Sequence, residues 1–370
     1  MRLSRFCLLY SLLAFSALGV TNAQTPVPAA APSLSVDRDP APSIDSDGVA
    51  SVPTPDLIMP QGEKKVGGSD GKYTLEVNAY EVQFSVSVMD ATGRPVQHLT
   101  RSAFHVVEDG VPQTIAGFRH EDLPVSIGLL IDSSASMYDK REAVDKAALE
   151  LVRLSNPKDE EFLVDFSSKP YIDQEFTSSI DKLQKGLRYV NAVGGTAEYD
   201  AILASAGYLI KHGANRKQVL LLITDGEDNA SRTTLQEAIH SVQGLEGPVV
   251  YCIGLLFGED TDKMESRRAR SLLQQIAQET GGEAFFPKSL KEVEGIAEIV
   301  AEDIRTQYTI GYHSTNPPSN GGYRQVHVDA FGPDNHKLTV RTRKGYIPKP
   351  TPVKPDGNAT PKSAPVPASE

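Results

Sequence analysis

The stretch VSIGLLIDSSASM, residues 125–137, decides how the chain is read. Its first seven residues are mostly apolar, and they give way at once to Asp132, Ser133, Ser134 and Ser136. A short, dense apolar run of this kind marks a strand buried on both faces, as in a parallel sheet covered by helices. EEFLVDF (160–166), KQVLLLITD (217–225) and PVVYCIGLL (248–256) repeat the pattern. Amphipathic stretches alternate with them: REAVDKAALELVRL (141–154), SIDKLQKGLRYV (179–190), TLQEAIHSVQGL (234–245) and, last, SLKEVEGIAEIVAEDIRTQ (289–307). Strand–helix alternation predicts an α/β, doubly wound, mainly parallel sheet over residues 123–307.

The flanks have a different period. In 73–122, Val82, Phe84, Val86 and Val88 alternate with Gln83, Ser85 and Ser87, and DATGRP (90–95) supplies a turn. That pattern predicts antiparallel strands with one face wet. Residues 308–347 are strand-like again in YTIGYH, YRQVHVDAF and KLTVRTRKGY. Neither piece is large enough to stand alone, so the two are expected to share one small β-rich sandwich domain, with the α/β unit inserted into it.

The ends read as targeting and spacer segments. Arg2 and Arg5 precede the apolar run FCLLYSLLAFSALGV, and small residues near Thr21 and Ala23 offer a cleavage site, so residues 1–23 are expected to be a signal peptide. The run falls short of the roughly 20 residues of a membrane span; a retained anchor is the alternative. Residues 24–72 are expected to be a disordered linker and 348–370 a Pro-rich tail. The formal net charge of −11 becomes about −13 once Arg2 and Arg5 are removed. That balance argues against nucleic acid and anionic lipid as partners. Only Cys252 remains after cleavage, so no intramolecular disulfide is available, and its apolar setting reads as strand filler.

Three polar loops fall at or near strand ends, where ligand sites of open α/β sheets lie: Asp132–Ser136, VGGTAEYD (193–200) and TDGEDN (224–229). Singly, each is an ordinary cap or turn. Together, Asp132, Ser134, Ser136, Thr196 and Asp225 offer carboxylate and hydroxyl oxygens and no soft donor. Such a set suits a hard cation, Mg²⁺ first, with Mn²⁺ or Ca²⁺ as alternatives. Gly194 and Gly195 let the second loop approach closely. For Tyr199, Asp200, Glu227 and Asp228 a plain structural role is favoured over the alternative, in which the first two shape the helix start and the last two tune the rim.

This arrangement, DxSxS followed by a Thr and an Asp on separate loops, resembles the metal-ion-dependent adhesion site of von Willebrand factor type A domains. The resemblance implies a Rossmann-like fold, Ser134, Ser136 and Thr196 as direct ligands, and Asp132 and Asp225 often acting through water. It also implies adhesion or protein–protein binding, in which a partner's Asp or Glu completes the metal's coordination. The flanks, VMDATGRPVQHLTRSAFHVVEDGVPQTIAGF (88–118) and QYTIGYH…VRTRKGY, resemble a related group described from acidobacteria. An exported binding module, secreted, periplasmic or on the cell surface, is therefore expected, rather than an enzyme. A structural envelope component is the second reading. A metal-dependent hydrolase is the third, weakened by scattered histidines and by the lack of HExxH, GxSxG and P-loop motifs. Arg267, Arg268 and Arg270 of MESRRAR are read as a solvated helix face.

Overall fold

The computed structural model describes residues 32, 34, 81–120, 122–188, 194–244, 247–257 and 263–348. The expected signal segment, nearly all of the linker and the tail beyond residue 348 lie outside these residues.

The apolar runs form a six-stranded sheet. Its parallel strands are β5 (Val125–Asp132), β6 (Glu160–Phe166), β8 (Lys217–Thr224), β9 (Val249–Gly254) and β10 (Ala284–Phe285). β7 (Pro170–Thr177) runs antiparallel to β6 at one edge. The order is β10-β9-β8-β5-β6-β7. From β5 the chain travels outward through β6 and β7, then returns to β8 and continues the other way. The crevice between the carboxyl ends of β5 and β8 is thus the topological switch point.

Both faces of this sheet are buried, which is why its strands do not alternate. Ile127, Leu129 and Ile131 of β5 pack under α1 (Arg141–Arg153), α2 (Ile180–Leu187) and α6 (Val293–Thr306). Leu130, Leu220, Leu222 and Cys252 pack on the other face, under α3 (Glu198–His212), α4 (Leu235–Val242) and α5 (Lys263–Thr280). Gly128 shares that second face; a Cβ there would lie 2.5 Å from Phe162 and 2.6 Å from Leu220. Cys252 is fully buried, as expected of strand filler. Among the described residues no helix is long and apolar enough to cross a membrane.

The flanks build two four-stranded sheets, each sewn from both ends of the chain. One has the order β13 (Thr339–Arg341), β1 (Glu81–Met89), β11 (Tyr308–His313), β4 (Ile115–Arg119); the other, β14 (Gly345–Tyr346), β12 (Arg324–Ala330), β2 (Phe104–Glu108), β3 (Val111–Gln113). Val82, Phe84, Val86 and Val88, with Tyr308 and Ile310 beside them in the same sheet, share a core with Val106, Val326 and Val328 of the other sheet. The α/β fold with a small β-rich companion is therefore as the sequence predicts. One detail differs. The β1 face expected to be wet is partly covered, because Gln307 at the end of α6 donates from Nε2 to Ser87 Oγ at 3.3 Å, leaving Ser87 3% exposed.

Glu161, in β6, carries a stability prediction. Its burial, with Asp159 nearby, pushes its carboxyl up to about 8 from the ordinary 4.5. The folded-state value is raised, so Glu161's contribution is fully present below pH 4.5 and is lost as pH rises towards 8. Glu161→Gln is expected to stabilise the protein by about 3 kcal/mol at pH 7 and by almost nothing at pH 4. Urea unfolding at the two pH values checks this; equal effects at both would contradict it.

Candidate metal centre

All three polar loops meet at the switch point. Asp132 ends β5 and is fully buried. Its Oδ1 accepts the Ser134 backbone N–H at 2.8 Å, and its Oδ2 accepts the Thr224 hydroxyl at 2.6 Å. Burial pushes its carboxyl up to about 6, against the lowering effect of those bonds; the charge of Asp225 adds to the rise. The loop then curls. Ser134 Oγ lies 3.1 Å from Ser136 Oγ, and Ser136 Oγ donates to Asp225 Oδ1 at 2.8 Å. Ser133 turns away from this row and donates to Asp165 Oδ2 at 2.8 Å, anchoring the loop to β6.

The second loop reaches the same place by close backbone approach. Gly194 has φ +88°, a left-handed conformation that favours glycine. A Cβ on Gly195 would lie 2.6 Å from Asn229 Oδ1. That same Oδ1 accepts the Thr196 N–H at 2.8 Å, while Thr196 O accepts from the backbone of Asn229 and Ala230 at 3.0 and 3.1 Å. Thr196 is therefore tied to the Asp225 loop through Asn229 and makes no hydrogen bond to the other four predicted residues. Among the described residues, no hydrogen bond engages its hydroxyl.

The acidic neighbours divide by role. Asp228 accepts Tyr199 N at 3.0 Å and Ser231 N at 3.2 Å, and Ser231 Oγ accepts Asp200 N at 3.0 Å. The third loop thus satisfies backbone donors that the first turn of α3 leaves open. Asp200 returns the tie by accepting Thr233 N at 2.9 Å and Arg232 N at 3.2 Å. Asp228 thus holds the loop to the helix, the structural role favoured for it over a place on the rim. Glu227 stays half-buried, 3.9 Å from Arg268 of the exposed α5 face.

Four residues escaped the sequence reading. Thr224 and Asn229 orient Asp132 and Thr196; their only signal is membership of the TDGEDN loop. Lys140 places Nζ 2.5 Å from Asp225 Oδ2, an ion pair between residues 85 apart in sequence. Glu198 follows GGTA at the start of α3, where an acid is an ordinary partner of the helix dipole. Here it is buried, and that burial, with Asp228 and Asp132 nearby, holds its carboxyl well above the usual range.

Chemically, Ser134, Ser136 and Asp225 offer hydroxyl and carboxylate oxygens in a row of hydrogen-bond contacts, with Ser136 exposed to solvent. The described residues hold no metal-binding group of three or more His, Cys, Asp or Glu side chains. The donors are hard oxygens, from three neutral hydroxyls and two carboxylates, which fits a hydrated hard cation better than a soft or carboxylate-caged one.

The profile of the von Willebrand factor type A domain matches residues 127–227. The α/β unit is accordingly a von Willebrand factor type A domain with a mostly parallel six-stranded sheet. No curated protein matches the chain. Among solved structures, the chain is similar to proximal thread matrix protein 1 of the mussel byssus with a zinc-occupied MIDAS motif (17% identity, 54% of this chain and 50% of that one, TM-score 0.43). It is also similar to a von Willebrand factor type A protein from Catenulispora acidiphila (15%, 75% and 76%, 0.41) and to the PilB minor pilin from Streptococcus sanguinis (13%, 50% and 62%, 0.41). The chain spans about half the length of the byssus protein and 62% of the pilin. At these identities and TM-scores, the likenesses carry nothing about ligand or partner to this chain.

Proposed function

We propose that the chain is an exported binding module that captures an acidic protein ligand through a divalent cation at the head of its sheet. One observation carries this reading. Ser134, Ser136 and Asp225 form a continuous row of oxygens at the switch point, with contacts of 3.1 and 2.8 Å, and the row opens to solvent at Ser136. In this reading Ser134, Ser136 and Thr196 hold Mg²⁺ or a close substitute, with Asp132 and Asp225 acting directly or through water. Bound there, the ion would supply an electrophilic centre with a coordination position for a partner's Asp or Glu. Binding rather than catalysis is proposed because the sequence carries no HExxH, GxSxG or P-loop motif. Export rests on the apolar N-terminal run, and placement with the acidobacterial group rests on the flanking motifs.

The test is water-proton relaxation of the Mn²⁺-loaded chain, titrated with an Asp-containing peptide. Exchangeable water on the bound ion, displaced by that peptide but not by its Asn counterpart, is the expected result. A bound Mn²⁺ without exchangeable water would identify a purely structural ion and overturn the proposal.

The same reading makes a prediction for Lys140. Its ammonium pairs with Asp225 at 2.5 Å and repels an arriving cation. The flexible four-carbon stem lets the ammonium swing aside, so only part of the Coulomb penalty persists. Lys140→Gln is expected to tighten Mn²⁺ binding by about tenfold, read by calorimetry. Weaker binding would show that Lys140 organises the site instead.

A further inference from the structure

A cavity of about 250 Å³ lies between α4, α5 and the β-rich companion, and it shares no residue with the metal centre. Gln236 and His240 of α4, with Gln243 at its C-terminal end, recur at helical spacing on one face. Gln275 and Glu279 stand one turn apart on α5, and Tyr323 enters from just before β12. The junction of the two folded parts holds these walls in place. Gln243 Nε2 donates to Glu279 Oε2 at 3.2 Å, Lys344 Nζ pairs with Glu279 Oε1 at 2.9 Å, and Ile347 N donates to Gln243 O at 3.1 Å. Tyr323 lies so close over Gly345 that a Cβ there would be 2.4 Å from its hydroxyl. Within this frame the polar groups are unused. Gln243 is 6% exposed, yet only the nitrogen of its side-chain amide is hydrogen-bonded. Among the described residues, no hydrogen bond engages the side chains of Gln236, His240, Gln275 or Tyr323. Buried amides are ordinarily satisfied.

The chemistry of the lining selects the ligand. Three amides, an imidazole and a phenol present donors and acceptors side by side, which matches a polyol, whose every hydroxyl both donates and accepts. The Tyr323 ring, 45% exposed, offers an apolar face to the C–H face of a sugar ring. Glu279 and the formal net charge of −11 disfavour an anion. Because Glu279 is already paired with Lys344, the lining has no free carboxylate for a cation. The volume falls just below the roughly 300–1,000 Å³ of sites for drug-sized ligands, so it takes one ring rather than an oligosaccharide. The geometry points to a second binding site, for one neutral pyranose ring, hydrogen-bonded by Gln236, His240, Gln243 and Gln275 and stacked on Tyr323. The chain then holds a saccharide on its α4–α5 side, independently of any ligand at the head of the sheet.

The experiment is saturation-transfer NMR of the full chain in chelator, which makes the result independent of the cation site. The probes are the methyl glycosides of glucose, galactose and mannose, with glucuronate as the charged control. Transfer to at least one neutral glycoside, and none to glucuronate, is the expected result. Gln275→Ala should weaken that binding by about tenfold, the scale of one hydrogen bond between neutral groups. Tyr323→Ala should weaken it by at least about tenfold through loss of the stacking face. Neither side chain is buried, so both variants should melt at the parent's temperature. Should Tyr323→Ala not fold, Tyr323→Leu, which keeps bulk but has no ring, replaces it. Trisaccharides of the same sugars run beside the glycosides: tighter binding marks a site for a ring within a chain, weaker binding a site for the free sugar. Absence of transfer to all three glycosides overturns the inference. Transfer that neither variant weakens overturns it as well, and so does equal transfer to glucuronate.

Discussion

Asp132→Ala is expected to weaken Mg²⁺ and Mn²⁺ binding by on the order of a hundredfold or more while leaving the far-UV circular dichroism of the chain unchanged. Asp132 is the side chain on which two of the three loops converge: its carboxylate fixes the Ser134 backbone on one oxygen and Thr224, the neighbour of Asp225, on the other. Removing it takes away a charge at the ion and also the element that sets the curl bringing Ser134 to Ser136. Asp132→Asn separates these effects. The amide retains an oxygen for Ser134 N and a donor for Thr224 Oγ1, so the loop keeps its shape while the charge is lost. In chelator, Asp132→Asn should be at least as stable as the parent, because a buried charge is replaced by a neutral group. With saturating Mn²⁺ the order should reverse, since only the parent gains the stabilisation of a ligand bound to the native state. Thermal melting with and without Mn²⁺ reads both states. A Mn²⁺-dependent rise in Asp132→Asn as large as the parent's would remove Asp132 from the site.

Truncation after Gln307 is expected to strip residues 81–120 of their fold while the α/β unit persists. β1 pairs with β11 over Glu81–Val86 and with β13 over Ser87–Met89, and β2 pairs with β12 along its whole length. The truncated chain would leave these strands with unpaired backbone groups and without Tyr308, Ile310, Tyr312, Val326, Val328, Ala330, Leu338 and Tyr346, about half of the sandwich core. It would also orphan Glu108, a buried carboxylate that accepts from Tyr312 at 2.5 Å and Tyr346 at 2.9 Å and faces Arg324 at 3.5 Å. Breaking a buried pair from one side typically costs about 3–5 kcal/mol, enough by itself to unfold a small sandwich. The α/β unit would lose Arg341, which pairs with Asp303 and Glu283, but it would keep both of its own cores. Limited proteolysis with peptide mapping checks this. Cleavage confined to the N-terminal strands is expected; unchanged resistance there would mean that they fold without their C-terminal partners.

The parts of this molecule that could be read from local sequence share a cause. VSIGLLI, KQVLLLI and VVYCIG are apolar on both faces because helices cover both sides of the sheet, and that burial is written into every residue of each strand. The alternation in β1 likewise records a one-sided core. Asp132, Ser134, Ser136, Thr196 and Asp225 stood out because a recognisable spacing links chemically matched residues on loops at strand ends. β7 did not stand out. An edge strand such as PYIDQEFT mixes apolar and charged residues, since only one of its sides is paired.

Long-range arrangement decided the rest. No local signal separates Lys140 from any lysine opening a helix, or Glu198 from any acid in a first turn. Lys140 matters because the switch-point crevice brings Asp225 to it across 85 residues, and Glu198 because α3 buries its carboxyl near Asp132. The exposed look of Ser87 gave no hint of Gln307 lying against it. Hydrophobic period and loop chemistry are carried by neighbours in the chain and so survive in the linear order of residues. Charge pairing and the burial of single polar groups depend on which distant segments the fold brings together, and the folded chain alone specifies them.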